Sequence, residues 1–170
     1  MSEKILIIDD DIDTLRLIDL ALKKEGYQIV TANNGQEGLL KMSRETPDLI
    51  LLDIMMPEMD GYEVARRLRQ KPETSKIPIL MFSAKSQVDD KVKGFESGAD
   101  GYLTKPTHPT ELQTHIKELL SRSVKIEENE TLPKDQRETR PSQGKPAATL
   151  GIISDRFSDW FTDKPSDKAK

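Results

Sequence analysis

Short, uninterrupted apolar runs alternate along this chain with longer stretches in which apolar side chains recur at helical spacing. The segments Lys4–Asp9, Tyr27–Ala32, Asp48–Asp53, Ile77–Ser83 and Asp100–Leu103 read as strands. In three of them the central residues (Ile5–Ile8, Leu49–Leu52, Ile79–Phe82) are continuously apolar, as in a strand covered on both faces. Leu15, Ile18 and Leu22 fall on one face of an intervening helix. Leu112, Ile116, Leu119 and Leu120 do the same in the last one. Gly26 and Gly98 stand where helix C-caps are wanted, and Asn34-Gly35 reads as a turn. Strict strand–helix alternation predicts right-handed crossovers and a doubly wound parallel sheet with helices on both faces. The fifth unit ends near Ser121.

Past that point the pattern dissolves. Ser123–Gly144 is rich in Glu, Lys, Arg, Pro and Ser without an apolar period, and this predicts a flexible segment. The predicted organisation is a globular domain over residues 1–122, a flexible linker over 123–149 and a tail over 150–170. In the tail, Ile153, Phe157, Trp160 and Phe161 share one face of a short amphipathic helix that would need a surface to fold against. A mean hydropathy of −0.62 fits a folded part diluted by a solvated one. The net charge of −4 argues against a broad nucleic-acid surface. No cysteine is present, which excludes disulfides and thiolate metal sites. With no visible signal peptide and no apolar run of bilayer length, a cytoplasmic protein without a membrane partner is expected.

Ligands of a doubly wound sheet bind at the carboxyl ends of its strands. There the chain places Asp9-Asp10-Asp11, Asp53, Ser83-Ala84 and Lys105-Pro106. Carboxylates converging on one edge repel each other and call for a cation between them. Hard oxygen ligands with room for water suit Mg²⁺ better than zinc. A lysine and a hydroxyl beside them can each grip an oxygen of a phosphoryl group. The set reads as a carboxylate nucleophile whose developing charge is offset by a metal and a lysine. A lone Asp at a strand end is more often a helix cap, and Asp11 or Asp13 fits that plainer role.

The segments Ile5-Leu-Ile-Ile-Asp-Asp-Asp, Asp53-Ile-Met-Met-Pro-Glu-Met-Asp-Gly, Ser83-Ala84 and Gly98-Ala-Asp-Gly-Tyr-Leu-Thr-Lys-Pro106 together resemble the CheY-like receiver domain of bacterial two-component response regulators. The resemblance covers about the first 120 residues. It implies a flavodoxin-like (βα)5 fold with strand order 2-1-3-4-5. It further implies that Asp53 is the phosphoacceptor, that Asp9 and Asp10 organise Mg²⁺ with Asp53, and that Met55 lends the metal its backbone carbonyl. By the same resemblance Ser83 is the switch hydroxyl, Ala84 keeps the phosphoryl group accessible and Lys105 is its charge partner. Tyr102 resembles the aromatic whose rotamer follows the switch, the plain alternative being a half-buried strand residue. A cis peptide between Lys105 and Pro106 is also implied. The implied partners are a histidine kinase or phosphotransfer protein upstream and a protein target downstream, addressed through the face of the fourth helix, fifth strand and fifth helix. The domain would signal without being an enzyme in its own right.

Two rivals fit less well. A flavin-binding flavodoxin wants a hydroxyl- and glycine-rich loop after the first strand, where this chain has three carboxylates. A phosphatase with an Asp nucleophile carries a second Asp two positions later, where this chain has Met55. No basic recognition helix follows Ser121, so nucleic-acid binding by this chain is not expected. Output then comes either from a stand-alone receiver or from the front end of a longer regulator. Lys91 with Glu111, and Asp100 with Arg122, resemble crossed dimer pairs, whereas Gly101 and His115 leave a third pair missing. A monomer or a weak, phosphorylation-dependent homodimer follows.

Overall fold

The structure, a computed structural model, describes residues 2–131, with side chains through Ser123. The remainder of the expected linker and the tail, with its Ile153–Phe161 face, lie outside the described residues. Five parallel strands, β1 (Lys4–Ile8), β2 (Gln28–Ala32), β3 (Leu49–Leu52), β4 (Ile79–Ser83) and β5 (Gly101–Thr104), line up in the order β2-β1-β3-β4-β5. Five helices follow them: α1 (Ile12–Lys24), α2 (Gly35–Glu45), α3 (Gly61–Arg69), α4 (Val88–Glu96) and α5 (Pro109–Thr131). The predicted fold class is borne out, and the fold is flavodoxin-like.

The continuous apolar runs become the central strands because only there are both faces covered. In β1 the residues Ile5 to Ile8 are buried, with Ile5 facing Ile29 on one side and Leu49 on the other. Every residue of β3 and β4 is buried as well. Each buried apolar side chain contributes roughly 1.5–3 kcal/mol over its exposed counterpart. Four of the strands are shorter than the sequence pattern predicts, with Asp9, Tyr27, Asp48 and Asp53 just outside their ranges, and β5 keeps its predicted length but is shifted by one residue. At the start of β4 the limit is Pro78, which has no N–H to donate.

Three of the helices start on side-chain oxygens. Asp11 caps α1 by accepting from the Asp13 N–H, the plainer role expected of it. Asn34 caps α2 by accepting from the Glu37 N–H, while the Glu37 carboxylate takes the Asn33 N–H. The Asn34-Gly35 pair is thus a helix start rather than a free-standing turn. Asp60 caps α3 by accepting from the Glu63 N–H. Gly26 and Gly98 follow α1 and α4 at φ 94° and 109°, a left-handed geometry that other residues resist.

The last unit does not end near Ser121. Helix α5 runs to Thr131, so residues 123–131 are helical instead of opening the flexible linker. Between Pro109 and Pro133 the chain holds no Gly and no Pro, and the Glu and Lys that suggested a solvated linker are good helix formers. Among the described residues no helix is long and apolar enough to cross a membrane.

Candidate phosphoryl and metal site

The strand order reverses between β1 and β3, which opens a crevice at their carboxyl ends. Asp9 leaves β1 there and Asp53 leaves β3. Both are anchored by one more step of the ladder: Asp9 N–H donates to Ala32 at 3.1 Å and Asp53 N–H to Ile8 at 2.9 Å. Backbone pairing therefore aims two carboxylates at one point. Asp9 is 2% exposed and Asp53 7% exposed, while Asp10 beside them faces solvent. Carboxylate oxygens of all three lie within 4.8 Å of one another.

One ammonium answers this charge. Lys105 places Nζ 2.5 Å from Asp9 Oδ2 and 3.6 Å from Asp53 Oδ1. It is held in place by its own N–H, which donates to the Ser83 carbonyl at 2.8 Å, and the Lys105–Pro106 peptide bond is cis. The Phe82 ring centroid lies 5.1 Å from Nζ, a cation–π contact. Burial raises the Asp53 carboxyl above its ordinary value; Lys105 lowers it, Asp9 raises it further, and hydrogen bonds from Ile54 N–H and the Ser83 hydroxyl lower it. Three clustered carboxylates against one lysine leave the crevice short of positive charge. These oxygen donors fit a hard divalent cation that keeps part of its water shell.

The remaining predicted residues surround the crevice. Ser83 is fully buried at the end of β4, and exposed Ala84 follows it at the rim. Met55 is 53% exposed in the loop after Asp53. That loop turns back because Gly61 N–H donates to Ile54 at 3.0 Å, and a Cβ on Gly61 would sit 2.2 Å from the Asp53 carbonyl. Tyr102 is buried, not half-buried, and its hydroxyl donates to the Lys85 carbonyl at 2.8 Å. Asp100, one half of a dimer pair suggested by the sequence, takes Arg69 at 2.7 Å and the Ile79 N–H at 2.9 Å within the chain.

Two contributors were not foreseen from sequence: Phe82 beside Lys105, and the Tyr62–Asp90 pair that reaches Lys85 beside Ser83. Phe82 carries no signal beyond its place in an apolar strand, and Tyr62 and Asp90 are 28 residues apart. Gly61, by contrast, was legible as the glycine that shapes the loop after Asp53 and frees the backbone there. A groove of about 1320 Å³ between α2 and α3 borders the crevice through Asp10 and Pro57.

Fold and crevice together define a flavodoxin-like protein with an acidic, lysine-bearing pocket at the switch point of its sheet. The model of the response regulator receiver domain matches residues 5–117, and the chain belongs to that family. It is thus a signalling domain of two-component systems. The chain is 39% identical over 161 residues to the alkaline phosphatase synthesis transcriptional regulatory protein PhoP of Bacillus subtilis, covering 95% of this chain and 65% of that one. It is 43% identical over 123 residues to the DNA-binding dual master transcriptional regulator RpaA of Synechocystis, covering 72% and 51% respectively. The chain therefore spans between about half and two thirds of these curated relatives. Among solved structures, a putative response regulator from Chloroflexus aurantiacus superposes with a TM-score of 0.69 at 38% identity, over 72% of this chain and all of that one. A CheY-like receiver domain protein from Methanospirillum hungatei gives 0.70 at 32% identity, over 74% and 99%.

Proposed function

We propose that Asp53 accepts a phosphoryl group from the phosphohistidine of a kinase or phosphotransfer protein, in a reaction that needs Mg²⁺. The observation that carries this reading is a buried Asp53 carboxylate between an acidic pair and the Lys105 ammonium. One Asp53 oxygen attacks phosphorus, the P–N bond of the donor breaks, and the leaving imidazole keeps the electron pair and takes a proton from water. Asp9, Asp10 and Asp53 would hold Mg²⁺, with the Met55 carbonyl as a further ligand. When bound, the ion supplies positive charge to the phosphoryl oxygens. Lys105 neutralises one of those oxygens and the Ser83 hydroxyl hydrogen-bonds another. Exposed Ala84 leaves the donor room to approach.

The new dianion shifts an existing equilibrium between packings of the β4–α4 region, with Ser83 drawn in and Tyr102 following. The α4–β5–α5 face then addresses a protein target. Acetyl phosphate with Mg²⁺ should add one phosphoryl mass to the full chain, and chelation should abolish the reaction. Uptake by Asp53→Asn at the wild-type rate would refute the assignment. A second reading is favoured by the relatives, which are named as transcriptional regulators and exceed this chain in length. On that reading the receiver is the front end of a longer regulator of transcription. Reading the gene beyond the Lys170 codon decides it: an in-frame DNA-binding domain supports this reading, and an immediate stop codon removes it.

A further inference from the structure

Ser83 and Tyr102 are joined through Lys85, two residues beyond the switch hydroxyl. Lys85 donates its N–H to Ser83 Oγ at 3.4 Å, and its carbonyl accepts from the Tyr102 hydroxyl at 2.8 Å. The backbone of Lys85 therefore touches both residues assigned to the switch. Its side chain reaches away from the strand ends to Asp90, in the first turn of α4, at 3.3 Å. Asp90 is held in turn by Tyr62 of α3, whose hydroxyl lies 3.3 Å from the Asp90 carbonyl and 3.5 Å from Oδ1.

Tyr62 is a stiff anchor for such a chain of contacts. It is 1% exposed, and the Lys93 ammonium sits over its ring at 4.5 Å. Burial first, and then the Asp90 charge, push its hydroxyl up to about 12, so it remains a donor throughout the physiological range. Three elements, α3, the β4–α4 loop and α4, are thereby tied at one place.

We propose that Tyr62 and Asp90 are positioning residues that act through Lys85, holding the β4–α4 loop in the packing with Tyr102 buried, the packing that phosphorylation favours. The assignment rests on the proposed role of Asp53 and deepens it. A receiver already biased toward that packing takes up phosphoryl faster, in proportion to the fraction of molecules in it. Neither residue touches the acidic crevice, so Mg²⁺ affinity is not part of the effect.

The test uses the full chain, as Tyr62→Phe and as Asp90→Ala. The first variant removes one hydroxyl and keeps the ring, its burial and the Lys93 contact. Each variant is expected to slow phosphoryl uptake from acetyl phosphate about five-fold, the scale of one modest hydrogen bond. Mg²⁺ affinity, followed by titration, should stay at the wild-type value. Because both residues act through Lys85, the double variant should be no more than about two-fold slower than the slower single one. In ¹⁵N spectra of the metal-free protein, the Lys85 and Tyr102 amide signals should shift and broaden. Wild-type uptake rates in both variants overturn the proposal, whatever their spectra. A wild-type chain that takes up no phosphoryl group, or an Asp53→Asn variant that takes it up equally well, sinks the underlying reading instead. The positioning role is then decided by the spectra alone, and unshifted Lys85 and Tyr102 signals in both variants overturn it.

Discussion

Replacing Asp53 by Asn should make the metal-free protein more stable. Asp53 shares its crevice with two carboxylates at no more than 4.8 Å. At an effective dielectric constant of about 20, buried Asp9 repels it by about 3.5 kcal/mol or more, while exposed Asp10 is largely screened by water. Lys105, at 3.6 Å, returns roughly 4.6 kcal/mol on the same scale. Lys105 therefore outweighs Asp9, and it is the burial of ionised Asp53 that tips the balance against it. Asn keeps the shape and still accepts from the Ile54 N–H and the Ser83 hydroxyl, so the expected gain is about 1–3 kcal/mol, a few degrees in Tm. The pH dependence follows from the direction of the shift. Folded Asp53 holds its proton more tightly than the unfolded chain, whose carboxyl titrates near 3.8. The penalty is absent below that value, grows as pH rises from there to the folded value, and is complete above it. Thermal denaturation followed by circular dichroism in chelator, at neutral and at acid pH, measures it. The variant should melt higher at neutral pH, lose its advantage in acid, and respond less than the wild type to saturating Mg²⁺. A variant that melts at or below the wild type at neutral pH would refute the charge argument.

Gly61→Ala should cost more than about 2 kcal/mol in urea unfolding and impair phosphoryl uptake, because its Cβ would lie 2.2 Å from the Asp53 carbonyl and backbone cannot move aside cheaply. Thr46 ends α2 at φ 42° and ψ 64°, a left-handed conformation that costs a branched residue about 1–2 kcal/mol. Thr46→Gly should recover up to about 1 kcal/mol, after glycine's greater unfolded-state entropy, with uptake unchanged. Met55 stands half-exposed two residues beyond Asp53, and a thioether is a poor partner for an attacking water. The phosphorylated state is accordingly expected to be long-lived, and Met55→Asn should shorten its lifetime, which a phosphate-release time course reads directly.

The architecture was legible in the sequence because its determinants are local and periodic. Runs such as Leu49–Leu52 can be satisfied only by a strand covered on both faces, and the helical spacing of Leu15, Ile18 and Leu22 permits only one buried face. Strict alternation of the two then leaves a doubly wound sheet. The candidate site was legible for the same reason: its acids, hydroxyl and lysine stand at strand ends, and a parallel sheet gathers strand ends along one edge. What the tertiary structure alone decided depends on distances between residues remote in sequence. Lys105 could have faced either carboxylate, and it lies 2.5 Å from Asp9 and 3.6 Å from Asp53. Tyr62 of α3 reaches Asp90 of α4 only in the folded chain, and no spacing rule links positions 28 residues apart. The continuation of α5 to Thr131 belongs here too, because composition marks both a solvated linker and an exposed helix, and only the backbone hydrogen bonds actually formed tell them apart.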